Sequence, residues 1–152
     1  KIRVAYIGPD EEYKGYFDFI EFAEILDLES YEVATYGHLP NEECPSFIEQ
    51  KGYFTKETID SVYENIDILI VPSKWKETFG LITIEALSYG VNVFVSENVG
   101  SKDLLPETHV FKNQNDLVVK VIENDIENTK LKTIDEHSKE VIQYYERVIN
   151  DS

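Results

Sequence analysis

Strand-like apolar runs alternate with helix-period stripes along this chain, and the alternation restricts the folds open to it. The run Ile68–Val71 is apolar at every position, as a strand buried on both faces of a parallel sheet requires. Similar strand patterns occur at residues 2–7, 31–36 and 91–96. Strands separated by helices predict a doubly wound, Rossmann-like α/β fold, in which a parallel sheet lies between two layers of helices.

Apolar residues three and four positions apart predict the helices. These helices are expected at about residues 16–28, 59–66, 80–89 and 117–122, and over roughly the last 20 residues. Thr55 or Thr58 is the expected cap of the second helix, and Asn115 or Asp116 that of the fourth. Two shorter strands are expected near residues 47–49 and 109–111, and a turn of helix after residues 100–103.

The composition is typical of a soluble globular domain. With 152 residues, of which 42% are hydrophobic and 29% charged, we expect a single domain over residues 1–152. The sequence has no methionine and opens directly on a strand, so we expect a fragment of a longer protein. Cys44 has no second cysteine to pair with, and no apolar stretch reaches transmembrane length. We therefore expect a cytoplasmic location.

The formal net charge of −16 argues against nucleic acids and anionic membrane surfaces as partners. The charge is unevenly distributed, because residues 67–102 contain only 4 acidic and 3 basic residues. This near-neutral segment suits an anionic ligand that the rest of the surface would repel. A segment at the buried centre of a domain also loses charge, and both interpretations stay open.

Two glutamates stand at the end of the buried strand and in the helix that follows it. Glu77 precedes that helix and Glu85 lies in its second turn, so both carboxylates are near the carboxyl edge of the predicted sheet. Open α/β sheets bind ligands at this edge, and a carboxylate accepts hydrogen bonds from vicinal hydroxyls such as those of ribose or a sugar. Spacing alone equally allows two exposed glutamates that bind no ligand.

Glycines and lysines near the same edge indicate an anion site. Gly80 allows close backbone approach at a helix start, where unpaired N–H groups favour phosphate. Lys14 lies in the loop after the first strand, and Lys102 in a further edge loop. The ordinary alternatives are that Gly80 serves only tight packing of the helix on the strand and that the lysines are solvated surface residues. No GxGxxG follows the first strand and the three histidines lack metal-ligand neighbours, so we expect neither a dinucleotide cofactor nor a metal.

Taken together, these residues resemble the C-terminal, nucleotide-sugar-binding half of the group 1, glycogen synthase-like retaining glycosyltransferases. The resemblance is densest over residues 67–105 and extends more loosely to the glycine loops of the first half. The motifs that carry it are Pro72-Ser73, Glu77-Thr-Phe-Gly80-Leu, Glu85-Ala-Leu87, Gly90 and residues 100–105. It implies one half of a two-domain, B-type glycosyltransferase fold, with the acceptor bound by an N-terminal domain that this chain lacks.

The resemblance also implies roles for individual residues. Glu85 would bind the ribose hydroxyls of a UDP-, GDP- or ADP-sugar, and Glu77 would act with Phe79 and Gly80 on the donor sugar. The diphosphate would lie near Gly8, bound by Lys14 and the Leu81 N–H, and the base would lie near Gly52 and Tyr53. Glu77 and Lys14 are the implied catalytic residues. Members typically need no metal, so no cofactor is expected apart from the donor, and attachment to a membrane would come through the missing domain.

Three positions depart from the family pattern. Pro9 stands where an Arg usually follows the first glycine, which leaves the diphosphate to Lys14 or passes part of that role to Lys74 or Lys102. Asn92 stands where the family has Pro in Gly-x-Pro-Val, and Asp103 replaces a common Glu.

Two other functions remain open at this point. One is a non-catalytic module of the same fold that stabilises a partner glycosyltransferase, which Pro9 favours and the two glutamates oppose. The other is a sugar-nucleotide epimerase, which lacks support because its catalytic histidine pattern is absent. For the leading interpretation, we expect the isolated domain to show little or no transfer activity.

Overall fold

The structure is a computed structural model that describes residues 1–74 and 81–125. The chain divides into two compact units, residues 1–118 and 119–152, and the sheet lies within the first. Glu77, Phe79 and Gly80, together with the charged helix predicted near the C-terminus, fall outside the described residues. Within residues 1–74 and 81–125, no helix combines the length and the apolarity that crossing a bilayer requires.

In the part of the chain that the structure describes, six parallel strands form one sheet in the order β3-β2-β1-β4-β5-β6. The strands are β1 (Ile2–Ile7), β2 (Tyr31–Tyr36), β3 (Ile48–Gly52), β4 (Ile68–Val71), β5 (Asn92–Ser96) and β6 (Val110–Phe111). The chain moves outward from β1 to β3, returns to pair β4 with β1, and then moves outward on the other side. This reversal between β1 and β4 confirms the doubly wound prediction.

The helices connect the strands, and α4 follows β6. They are α1 (Tyr16–Ile25), α2 (Ile59–Glu64), α3 (Leu81–Ser88) and α4 (residues 114–125). The predicted stripe of α1 is buried at Phe19, Phe22 and Ala23, although the helix ends earlier than predicted, at Ile25. Short 3₁₀ turns cover residues 12–14, 100–104 and 107–109. The turn of helix predicted after residues 100–103 therefore begins earlier than predicted, at residue 100.

Thr58 is the N-cap residue of α2, as predicted, although its side chain makes no capping hydrogen bond and instead accepts from the Thr55 N–H at 3.0 Å. The predicted cap of the fourth helix was wrong. The α4 helix begins earlier than expected, because the Asn113 side chain accepts from the Asp116 N–H at 2.8 Å. The Asp116 carboxylate in turn accepts from the Lys112 N–H at 3.0 Å, so Asp116 closes a reciprocal cap rather than opening the helix.

The two faces of the sheet have different cores, because successive strand residues point to opposite faces. On one face, α2 and α3 cover a mainly aliphatic cluster that includes Leu69, Val93 and Val95. On the other face, aromatic rings dominate, and Tyr6 of β1 stacks on Phe19 of α1 with 5.5 Å between ring centroids. On each face, this packing holds the helices against the central strands. The carboxyl ends of these strands lie together at one edge of the sheet.

Gly15 allows α1 to begin directly against the end of β4. Its φ is +81°, in the left-handed region, and a Cβ there would lie 1.9 Å from the Pro72 carbonyl oxygen. A glycine is therefore required on both counts. Next to it, the Lys74 N–H donates to the Tyr13 carbonyl at 3.1 Å. These contacts hold the exits of β1 and β4 together at the carboxyl edge.

Candidate functional site

A cleft of about 280 Å³ lies at the carboxyl ends of β1 and β4, where the strand order reverses. Gly8 and Lys14 come to it from the segment after β1, and Leu81 from the start of the described part of α3. The structure thus brings together the three residues that the resemblance implies for the diphosphate. A cleft at a topological switch point is the usual ligand position in this fold class.

Two glycines shape the β1 side of the cleft. The Gly8 N–H donates to the Tyr36 carbonyl at 2.9 Å, which extends the β1–β2 pairing beyond the last strand residue. A Cβ on Gly37 would lie 2.9 Å from the Gly8 nitrogen, so the two strand exits approach as closely as the backbone allows. The Tyr6 hydroxyl donates to the Pro9 carbonyl at 2.7 Å and holds the next residue in place.

Among the residues that the structure describes, Lys14 is the lysine that lines this cleft. It ends the 3₁₀ turn Glu12–Lys14 and is followed immediately by Gly15. The Lys14 side chain is half-buried, and its Nζ lies 5.8 Å from the centroid of the Tyr13 ring. A cation placed at this edge is suited to an anionic ligand.

The two lysines considered as substitutes for the missing Arg are engaged elsewhere. Lys74 Nζ forms ion pairs with Glu12 at 3.1 Å and with Asp18 at 3.6 Å. Burial raises the pKa of Asp18, and the Lys74 ammonium opposes that rise. Lys102 is exposed, and its Nζ donates to the Glu97 carbonyl at 3.0 Å. Neither residue lines the cleft, so Lys14 remains as the candidate cation.

Glu85 lies one helical turn beyond Leu81, on the same side of α3. It is half-buried, and its Oε1 accepts a hydrogen bond of 2.7 Å from the Tyr63 hydroxyl of α2. Tyr63 is 2% exposed, and burial, followed by the hydrogen bond to Glu85, raises its pKa. The hydroxyl therefore stays protonated and acts as the donor. A partly buried carboxylate needs a hydrogen-bond partner, and for Glu85 that partner is the buried Tyr63.

Gly52 and Tyr53 lie at the same edge but two strands from β1. The Gly52 carbonyl accepts from the Gly37 N–H at 2.9 Å, which ties the end of β3 to the exit of β2. Tyr53 is 71% exposed and borders a separate, acidic hollow with Asp10, Glu42 and other residues. The structure therefore places these two residues beside the cleft rather than in it.

The two histidines among the described residues, His38 and His109, occupy structural positions. His38 is buried, and its ring nitrogens meet the Leu39 carbonyl at 2.7 Å and the Thr35 hydroxyl at 3.0 Å. His109 stacks on Phe94 with 4.5 Å between centroids, and burial lowers its pKa. Across residues 1–74 and 81–125, no three His, Cys, Asp or Glu side chains are grouped as metal ligands would be.

Tyr63 is the site-related residue that sequence reasoning did not identify as such. It falls within the apolar pattern that predicts a helix over about residues 59–66, and it lies in the core. Nothing in the local sequence relates it to Glu85, which lies 22 residues away on another helix. A tyrosine predicted in a buried stripe was a usable signal, because a buried hydroxyl normally has a hydrogen-bond partner.

The family model described as "Glycosyl transferases group 1" matches residues 1–144, and this chain belongs to that family. The match confirms the resemblance inferred from the Glu77–Gly80 and Glu85 motifs. It places a Rossmann-like domain with a cleft at its switch point among the glycosyltransferases.

Individual proteins are similar to this chain in sequence or in fold. An uncharacterized 41.2 kDa protein in the cps region of Klebsiella pneumoniae is 28% identical over 111 residues, which are 70% of this chain and 30% of that protein. HepE of Anabaena, solved in complex with UDP-glucose, shares the fold with a TM-score of 0.71 and 16% identity over 86% of this chain and 40% of its own. This chain spans less than half the length of the curated relatives that it matches.

A second solved structure similar to this chain is itself a single domain. It is the C-terminal domain of LpcC, a group 1 glycosyl transferase of Francisella tularensis, with a TM-score of 0.71 and 19% identity. The comparison covers 86% of this chain and 78% of that domain. The similarity shows that the two share one fold.

Proposed function

We propose that this chain is the donor-binding domain of a retaining glycosyltransferase that uses a nucleoside-diphosphate sugar. The observation that carries the proposal is the cleft between β1 and β4, which gathers Gly8, Lys14 and Leu81 and has Glu85 one turn along α3. The same proposal holds that the donor-binding domain extends over residues 1–152 and that a domain outside this chain binds the acceptor. So does a cytoplasmic location, with any membrane attachment made through that other domain.

In this proposal each part of the donor meets a different element. Lys14 and the N–H of Leu81 bind the diphosphate, and Glu85 accepts hydrogen bonds from the ribose hydroxyls. Glu77, Phe79 and Gly80 hold the sugar. Gly52 and Tyr53 border the base, beside the cleft at the end of β3.

The chemical task is to stabilise the negative charge of the departing diphosphate. The bond between the anomeric carbon and the diphosphate oxygen breaks, and a bond to the acceptor oxygen forms on the same face of the sugar. The acceptor proton passes to the departing phosphate oxygen. We propose that Lys14 and backbone amides supply the positive field that a metal ion supplies in other transferases, so that no metal or further cofactor is used.

Nucleoside diphosphates test the proposal directly. Titration of the chain with UDP, GDP and ADP, followed by amide NMR shifts, should perturb residues around Gly8, Lys14 and Leu81 with one of the three. UDP is the first probe because HepE was solved with UDP-glucose. Glu85→Ala should weaken binding by on the order of tenfold or more, because the ribose hydroxyls lose a charged acceptor. Glu64→Ala, which removes an exposed glutamate of α2, should leave binding unchanged.

A second variant separates sugar from nucleotide recognition. Glu77→Ala should weaken binding of the sugar nucleotide while sparing the bare nucleotide. Robust sugar transfer by this chain alone would contradict the proposed division between donor and acceptor domains.

A non-catalytic module of the same fold is the second candidate. It is favoured by Pro9, which lines the cleft where the family usually has Arg, and by the engagement of Lys74 and Lys102 away from the cleft. Absence of binding at millimolar concentrations of all three nucleotides would support this second function and contradict the first.

A further inference from the structure

Two tyrosine–carboxylate hydrogen bonds cross between α2 and α3 in opposite directions. The Tyr63 hydroxyl of α2 donates to Oε1 of Glu85 on α3 at 2.7 Å. The Tyr89 hydroxyl, just after α3, donates to Oδ1 of Asp60 on α2. The two rings stack on each other with 4.8 Å between centroids and 17° between planes. The four side chains therefore form one reciprocal unit that links the helices.

The two halves of this unit differ in exposure. Tyr63 is 2% exposed and its partner Glu85 is half-buried, whereas Tyr89 is 41% exposed and Asp60 lies at the surface. An exposed hydrogen bond competes with water and constrains its partners weakly. The bond from Tyr63 is shielded from that competition, so it restricts the orientation of the Glu85 carboxylate.

We propose that Tyr63 is a positioning residue for ribose recognition. Its hydroxyl holds Oε1 of Glu85 and so orients the carboxylate that binds the ribose. This inference rests on the proposed function, in which Glu85 binds the ribose. An ionised carboxylate accepts about four hydrogen bonds, so one bond from Tyr63 leaves capacity for two vicinal hydroxyls. The glutamate is then oriented before the nucleotide arrives, and less conformational freedom is lost on binding. Tyr89 stacks against the Tyr63 ring and supports it without contacting ribose.

The test compares nucleotides with and without ribose hydroxyls. Isothermal titration gives the affinity of the chain for UDP, GDP and ADP and for their 2′,3′-dideoxy analogues, in the unmodified protein and in variants. The measured quantity is the ratio of the two affinities, which reports hydroxyl recognition. A partly unfolded population weakens both ligands equally and leaves this ratio unchanged, so a purely structural role of Tyr63 would not alter it.

Tyr63→Phe should lower the ratio by on the order of tenfold, because it removes the hydroxyl while keeping the ring that packs against Tyr89. Tyr89→Phe is the matched control, since it removes the same type of bond between the same helices without touching Glu85. It should leave the ratio within about twofold of the unmodified protein. In the double variant with Glu85→Ala, Tyr63→Phe should have no additional effect on the ratio.

The outcomes separate the inference from the function beneath it. If Glu85→Ala abolishes the preference for hydroxylated nucleotides and Tyr63→Phe preserves it, the positioning role is wrong and the proposed function stands. If the unmodified chain shows no preference with any of the three nucleotides, or Glu85→Ala retains it, the ribose role of Glu85 fails and the inference fails with it.

Discussion

At the scale of single residues, the cleft depends on a few polar groups placed among apolar neighbours. Glu85 stands on a mainly apolar helix, and the Tyr63 hydroxyl compensates part of the cost of burying its carboxylate. Lys14 is half-buried at the cleft, whereas Lys74 is neutralised by Glu12 and Asp18. Lys14 lines the cleft and Lys74 does not, which gives Lys14 the leading role with an anionic ligand.

Lys14→Ala should weaken nucleoside diphosphate binding by roughly tenfold, because a charge-assisted contact to phosphate is lost. The loss should be smaller for a nucleoside without phosphates, and it should diminish as salt concentration rises. Titration calorimetry at two salt concentrations measures both effects. Lys1→Ala, which removes an exposed lysine just before the amino end of β1, is the control. Equal losses for both variants would contradict a specific role for Lys14.

At the scale of elements, the site depends on how α1 begins against the end of β4. The chain leaves β1, makes one 3₁₀ turn and enters α1 at Tyr16, with Gly15 packed on Pro72. That contact determines where the preceding residue, Lys14, lies relative to β4. Helix placement and the position of the candidate cation are therefore coupled through one glycine.

Gly15→Ala should destabilise the fold by about 3 kcal/mol or more, since it combines a left-handed backbone with a steric clash. Gly90→Ala provides the matched control, because Gly90 has a φ of +77° but open space around a Cβ. The control should lose only about 1–2 kcal/mol from the backbone conformation. Urea unfolding of both variants gives the two free energies, and similar losses would show that the Pro72 contact is unimportant.

At the scale of the whole molecule, an ion pair joins strands that are far apart in sequence. Arg3 of β1 donates from Nε and Nη2 to the Asp67 carboxylate, each at 3.1 Å, at the end of the sheet opposite the cleft. The Arg3 hydrogen bond lowers the pKa of Asp67. The pair is partly exposed, with 39% and 42% of the two side chains accessible, so screening by solvent limits its contribution.

This ion pair predicts part of the pH dependence of global stability. Because the folded pKa of Asp67 is lowered, its contribution is fully present above the unfolded value of about 4 and is lost as the pH falls through the folded pKa. Asp67→Asn should cost about 0.5–1 kcal/mol at neutral pH and much less at the acidic end of that window. Chemical unfolding at a series of pH values measures the difference, and a constant difference at all pH values would contradict this origin.

The sequence predicted much of the fold because its signals were local. Both β1 and β2 occur over the predicted residues, since alternating and continuous apolar runs reflect burial on the sheet. The cap of α4 was predicted wrongly for a physical reason. Asn113, Asn115 and Asp116 are all suitable capping residues by type, and only the hydrogen bonds made in the folded chain distinguish them.

The sequence by itself determined the fold class, the family and the residues that carry its motifs, because these depend on residue type and spacing along the chain. The tertiary structure decided how those residues are placed. Gly8, Lys14 and Leu81 line one cleft, as the resemblance implied, whereas Gly52 and Tyr53 lie beside it and Lys74 and Lys102 are engaged elsewhere. The tertiary structure also paired Tyr63 with Glu85. Such contacts join residues on different elements, and their distances depend on how strands and helices pack in three dimensions.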